Sequence, residues 1–138
     1  MKLIETVYAH CDIPCGIYSD HPSQIAADTV VKMNEKIAEL GEPPHHSEKE
    51  KFLAYHNSLT RMILVKEQHA ELCKREILIL WTDYFKPAHL EKYPDLHEQI
   101  WKACKLASKN KQEINMQTAK ELQEAVHEIG HIFSETKK

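Results

Sequence analysis

The chain of 138 residues is poor in the features that mark several classes of protein. It has only three glycines, and long stretches with a helical period run between them. No apolar run approaches the length that a membrane-spanning helix needs. The net charge of -3 gives no indication of nucleic-acid binding, and a mean hydropathy of -0.53 is typical of an ordinary soluble protein. At this length, a single domain with its own core is expected.

Cysteine is also scarce, with four in the chain. Cys11 and Cys15 form a close pair, whereas Cys73 and Cys104 stand alone. This arrangement does not resemble the disulfide framework of a small secreted protein, so we expect a cytoplasmic location. Cys73 and Cys104 fall on apolar helix faces and are predicted to be small core residues.

Apolar residues recur three or four positions apart along four segments, which predicts four amphipathic helices. Short connections between such helices favour an all-α four-helix bundle over about residues 22–138, with the N-terminal segment outside it. The first helix is expected to start near Pro22 and to end at residues 41–44. The second is expected to start at Ser47, with Glu50 completing a capping box, and to end at Pro87. The third is expected to start after Tyr93-Pro94, and the fourth to follow Asn115 as its cap.

A short N-terminal segment places one imidazole and two thiols within six residues, at His10, Cys11 and Cys15. Pro14 disfavours helix at Ile13, so the segment is a turn that can aim both sulfurs inward. The spacing alone leaves a disulfide or two idle thiols open beside a metal site. Three side chains leave a metal one ligand short, and a backbone amide or a free α-amine would complete a square plane. Such nitrogen and sulfur donors are typical of Ni(II) or Cu(II) rather than tetrahedral zinc.

The whole segment matches a longer signature, His10-Cys11-Asp12-Ile13-Pro14-Cys15-Gly16-Ile17-Tyr18. It resembles the nickel hook of the nickel superoxide dismutases at every fixed position. Residues 80–94 resemble a second recurrent block of that family, and residues 66–68 and 132–138 resemble two weaker ones. The resemblance thus runs from His10 to the end of the chain, and residues 10–138 are expected to form a single domain of this family.

The resemblance implies an enzyme that disproportionates superoxide to oxygen and hydrogen peroxide by a Ni(II)/Ni(III) cycle. One nickel ion per subunit would be held by the amine and imidazole of His10, the amide and thiolate of Cys11, and the thiolate of Cys15. It also implies a cis Ile13-Pro14 bond. The expected assembly is a homohexamer, with hooks packed against neighbouring subunits.

Three residues outside the ligand set are implied to serve the reaction. Tyr18 and Tyr84 correspond to tyrosines that screen the metal in the family. Lys86 is a candidate for attracting the superoxide anion, because its charge is local while the whole chain is negative. The remaining histidines, including His89, are predicted to be surface or interhelix polar groups.

Residues 1–9 precede the hook and resemble a leader that a peptidase removes. This stretch is too short and too polar for a secretory signal. We expect cleavage between Ala9 and His10, which would free the amine that the nickel needs.

The chain departs from the family pattern at one pair of positions. Some members orient the histidine ligand with a Glu and an Arg, which correspond here to Ala26 and His69. Neither residue supplies the same hydrogen bond, so His10 would need a different partner.

Two other functions remain open at this point. The sequence His127-Glu128-x-x-His131 places two imidazoles on one helical face, as in zinc hydrolases. It lies seven residues from the end of the chain, which leaves no later position for a third ligand. The non-enzymatic alternative is a helical protein that binds nickel for storage or delivery.

Overall fold

The computed structural model describes residues 16–137, and all the regular structure in this range is helical. The elements are α1 (His21–Glu39), α2 (Lys49–Ile79), a single π-helical turn (Leu80–Tyr84), α3 (Pro87–Lys92), α4 (Leu96–Gln112) and α5 (Met116–Thr136). None of these helices is long and apolar enough to cross a membrane.

The four long helices form the bundle that the sequence predicts. Helix α1 packs against α2 and α5, and α4 packs against the same two helices, so the helices close into a ring. Fully buried alanines line the seams, which lets the helices approach closely. Cys73 and Cys104 are buried in this core, as predicted.

Helix α5 approaches the start of α1 at Gly130. A Cβ atom at this position would lie 2.5 Å from Asp20 Oδ2 and 2.6 Å from Gln24 Nε2. Those two groups are joined by a hydrogen bond of 2.6 Å, so a larger residue here would have to displace them. Because Gly130 has no side chain, α5 can lie against the start of α1 without displacing the hydrogen bond between Asp20 and Gln24.

Three of the four predicted helix starts are confirmed, including that of α4 at Leu96 just after Tyr93-Pro94, and one is wrong. Pro22 lies in the first turn of α1, and the Asn115 side chain caps α5 by accepting from the Thr118 amide at 3.0 Å. Ser47, however, does not cap α2, which begins at Lys49. The Ser47 hydroxyl lies 2.7 Å from His45 Nδ1 instead. The Ser47 hydroxyl therefore bonds to His45 and does not form the expected capping box with α2.

The expected end of the second helix at Pro87 is also wrong. The α-helical pattern stops at Ile79, and the Phe85 amide donates to the Leu80 carbonyl at 3.0 Å, five residues back. Pro87 then begins α3 rather than ending α2. Proline has no amide hydrogen to leave unpaired and its φ angle is already helical, so it suits the first turn of a helix.

Lys66 is a charged side chain in the interior, with only 1% of its surface exposed. Its amino group donates to the carbonyl of Asn110 and, at 2.9 Å, to that of Glu113. These carbonyls lie at the C-terminal end of α4, where the last turn has no helical donors. Desolvation lowers the pKa of Lys66. Lys66, a residue of α2, therefore caps the C-terminal end of α4, which is the negative end of the α4 dipole.

Replacing Lys66 with alanine should lower the free energy of unfolding by about 2–4 kcal/mol, because it leaves a void and two buried carbonyls without donors. Relief of the desolvated charge offsets part of that loss. Urea titration measures the difference. Lys102→Ala, at an exposed position, is the matched control and should change stability by about 0.5 kcal/mol or less. Equal losses in the two variants would contradict the capping role.

Candidate metal centre

An aromatic cluster lies where the chain leaves the hook segment. It consists of Tyr18, Leu80, Tyr84, Phe85 and Phe133, with Ile79 packed beside them. Its members come from the segment before α1, the π-helical turn with the residue after it, and the last turns of α5. Three parts of the chain that are far apart in sequence therefore meet at one end of the bundle.

The structure brings together the two tyrosines that the resemblance singled out. The ring centroids of Tyr18 and Tyr84 are 5.8 Å apart, with the planes inclined by 63°. Tyr84 also packs on Phe133, with centroids at 4.6 Å. Such edge-on contacts are the favoured arrangement for aromatic rings. Tyr18 is 7% exposed, so its side chain anchors the chain three residues after Cys15.

The hydroxyl of Tyr84 lies 2.9 Å from Thr136 Oγ1, and Thr136 Oγ1 donates its own hydrogen to the Phe133 carbonyl at 2.7 Å. Because a threonine hydroxyl has one hydrogen, Tyr84 must be the donor in their shared bond. The Tyr84 oxygen is then left as an acceptor for any further partner. Its position is fixed by the last turn of α5.

Lys137 is a residue of this region that sequence reasoning missed. Its amino group donates to the Tyr18 carbonyl at 2.7 Å and lies 4.4 Å from the centroid of the Phe133 ring. The end of α5 therefore holds both the side chain and the backbone of the Tyr18 segment. Nothing in the sequence pattern pairs these positions, because the contact exists only after the bundle has formed.

His89 was expected to be a surface or interhelix histidine, and the structure places it on the cluster. Its ring stacks on Tyr84 with centroids 5.6 Å apart and an angle of 26°. Its Nδ1 accepts a hydrogen bond from the backbone amide of Lys86 at 3.1 Å. Burial, and then the nearby Lys86 charge, lower the pKa of His89. Lys86 itself is exposed at the start of α3.

The predicted ligands His10, Cys11 and Cys15, the Ile13-Pro14 bond and the leader all lie outside the described residues. Within residues 16–137, no group of three or more His, Cys, Asp or Glu side chains could hold a metal ion. His127 and His131 are both exposed on α5, and the nearest acidic oxygen to His127 Nε2 is Asp28 Oδ1 at 3.9 Å. The zinc hydrolase alternative therefore has no support from the described part of the chain.

The two described cysteines are poor candidates for metal ligands. Burial raises the pKa of the Cys73 thiol to about 12 and also raises that of Cys104. Both remain protonated at neutral pH, whereas a metal binds the thiolate.

The positions that depart from the family pattern lie in and beside the core. Ala26 is fully buried on α1. His69 is half-buried on α2, and its Nδ1 donates to the Val65 carbonyl at 2.8 Å. That nitrogen is therefore used within its own helix.

Comparison with known proteins places the chain in a family. Residues 5–137 match the sequence model of the family described as "Nickel-containing superoxide dismutase". The chain belongs to this family. A superoxide dismutase [Ni] of Streptomyces coelicolor is 39% identical over 133 residues, covering 96% of this chain and 92% of that protein. Its counterpart from Streptomyces seoulensis is 37% identical over 132 residues, covering 96% and 91%.

Solved structures agree with this assignment. A native nickel superoxide dismutase superposes with a TM-score of 0.77 at 38% identity, covering 94% of this chain and 100% of that one. A second structure, with nickel ligation corresponding to the oxidised state, gives 0.77 at 36% identity, covering 93% and 98%. The family, the fold, the nickel cofactor and the superoxide dismutase activity expected from the sequence are thereby confirmed.

The hydrogen bond between Tyr84 and Thr136 should appear as a coupling between the two positions. Tyr84→Phe and Thr136→Val should each lower the free energy of unfolding. Because both remove the same bond, the loss in the double variant should be about 0.5–1 kcal/mol smaller than the sum of the two single losses. Chemical denaturation of the two single variants and the double variant measures this.

A control pair combines Tyr84→Phe with Thr29→Val, since the Thr29 hydroxyl bonds only to Ile25 of its own helix among the described contacts. That pair should be additive. Additive losses for Tyr84 and Thr136 as well would mean that the bond contributes nothing to stability.

Proposed function

We propose that His10, Cys11 and Cys15 hold the nickel ion and that the aromatic cluster forms the wall beside it. The observation that carries the proposal is the burial of Cys73 and Cys104, which keeps both as thiols. Nickel that cycles in oxidation state requires strongly donating ligands, and thiolates are soft, strongly donating ligands. Cys11 and Cys15 are the cysteines left to supply them.

The donor set suits the chemistry of this enzyme. When bound, nickel supplies the Ni(II)/Ni(III) couple, so that two superoxide ions and two protons yield one oxygen and one hydrogen peroxide. The thiolates of Cys11 and Cys15 and a deprotonated backbone amide place negative charge around the ion, which favours the higher oxidation state. The His10 imidazole adds a further donor, and the free α-amine of His10 completes the set after the leader has been removed.

Covalent connection keeps the proposed ligands near the aromatic cluster. Three residues of chain span at most about 11 Å, so the backbone of Cys15 cannot lie farther than this from the backbone of Tyr18. Gly16 has φ +87°, a conformation that favours glycine, and it allows the chain to turn immediately after Cys15. The buried Tyr18 side chain would therefore fix the end of the hook.

Tyr18 and Tyr84 are proposed to screen the ion and limit access to small ligands. Because Tyr84 donates its hydrogen to Thr136, its oxygen accepts hydrogen bonds from water or peroxide at the site rather than donating to them. A narrow site also limits the oxidation of Cys11 and Cys15 by the peroxide product.

The assembly and the processing are proposed on the resemblance and on exposed apolar surface. Ile17, beside Tyr18, is 77% exposed, and Trp101 on α4 is 59% exposed. Large apolar side chains left in water support burial against other subunits, as in the expected homohexamer. Removal of residues 1–9 by a peptidase, in the cytoplasm, would precede metal binding.

Nickel-loaded protein that begins at His10 should consume superoxide rapidly, and the same protein beginning at Met1 should not, because its His10 nitrogen is an amide rather than an amine. Pulse radiolysis measures the turnover, metal analysis the bound nickel, and sedimentation the mass expected for six mature chains. In the trimmed form, Cys11→Ser and Cys15→Ser should each abolish turnover.

The matched control for those substitutions is Cys104→Ala, which removes a core thiol and should leave nickel content and turnover close to those of the parent. Full activity in Cys11→Ser or Cys15→Ser would overturn the ligand assignment. Activity in the untrimmed chain would overturn the need for the free amine.

Lys86 is proposed to attract superoxide through its charge. Lys86→Gln should lower kcat/KM by about two- to fivefold at low salt, because a local positive field raises the encounter rate of a small anion. The difference should shrink as salt shortens the screening length to about 3 Å at 1 M. Lys120→Gln, an exposed position near the start of α5, is the control and should have no such effect. If the salt dependence of kcat/KM were the same in Lys86→Gln as in the parent, the proposed role of Lys86 would be contradicted.

A further inference from the structure

We infer that His89 is a positioning residue that fixes Tyr84 and the Lys86 backbone through two separate contacts of one imidazole ring. The inference deepens the proposed function, because Tyr84 and Lys86 are two of the groups proposed to serve the reaction. It is carried by the geometry of the segment from the π-helical turn to α3. Neither the helical period nor the metal hook assigns His89 a role.

The first contact fixes the backbone at Lys86. This residue is extended, with φ -122° and ψ 161°, and stands immediately before the first turn of α3. His89 is the third residue of α3, and its Nδ1 accepts the hydrogen of the Lys86 amide at 3.1 Å. This is the half of a capping box in which the side chain at the third helical position accepts the N-cap amide hydrogen, a role usually filled by glutamate or glutamine. The direction in which the Lys86 side chain leaves the backbone therefore depends on His89.

The second contact fixes the Tyr84 ring. The imidazole lies at 26° to that ring with centroids 5.6 Å apart, and it meets the neighbouring Phe85 edge-on at 5.9 Å. Tyr84 thus touches His89 in addition to Phe133 and Tyr18. A side chain with aromatic neighbours from three segments has little freedom to change rotamer.

The two contacts make different chemical demands, and this allows them to be separated. Accepting at Nδ1 requires an unprotonated nitrogen with a lone pair, so the neutral ring carries its hydrogen on Nε2. Stacking requires a flat ring and no lone pair. Glutamine can meet the first demand and phenylalanine the second, whereas histidine meets both.

The experiment compares His89→Gln with His89→Phe. Hydrogen exchange of the Lys86 amide, followed by NMR without nickel, should be about tenfold faster in His89→Phe and nearly unchanged in His89→Gln. The ring signals of Tyr84 should shift in His89→Gln and stay close to the parent in His89→Phe. His56→Gln, at an exposed position on α2, is the control and should change neither signal.

The nickel-loaded forms supply the functional readout. The salt dependence of kcat/KM should weaken in His89→Phe and be retained in His89→Gln, with equal nickel content in both. An unchanged Lys86 amide and unchanged salt dependence in His89→Phe would overturn the inference. If the nickel-loaded parent itself had no turnover, the proposed function would fail, while the amide and ring signals would still decide whether His89 positions these residues.

Discussion

The burial of Tyr18 against Tyr84 and Phe133 is the contact on which the proposed metal centre would depend for its position. The hook is a short segment with few apolar groups, and a free chain of that length would sample many positions. Tyr18 joins it to the bundle, and Lys137 holds the Tyr18 backbone from the end of α5. In the proposed site the bundle would therefore be a rigid support that fixes one end of the short metal-binding segment.

This arrangement separates two tasks that many enzymes combine. In the proposed site the donors lie within one stretch of six residues, at His10, Cys11 and Cys15, so their chemistry would be encoded locally. The surroundings are supplied by residues distant in sequence, Tyr84 and Thr136 among them, and depend on the whole fold. The same fold buries Cys73 and Cys104 and raises the pKa of both thiols.

The sequence predicted the features that depend on local order. The four long helices follow from apolar periodicity, and Asn115 follows from the chemistry of a helix cap. It could not predict features that need a distant partner, such as the burial of Lys66 against the end of α4. The failure at Ser47 has another cause, since His45 competes for the hydroxyl that a capping box would use. The contacts of His89 were missed because its neighbours meet only after the π-helical turn has formed.

The π-helical turn at Leu80–Tyr84 also restricts how this part of the chain can change during evolution. A π turn holds one residue more than the α-helical turn it replaces, so loss of a single residue here could be absorbed as regular α-helix. If the turn instead kept its π geometry by drawing in the next residue, Tyr84 would rotate by about 100° around the axis and leave Phe133. Although the segment adjoins a surface connection, where insertions and deletions are usually tolerated, its length is fixed by the aromatic contacts that it delivers.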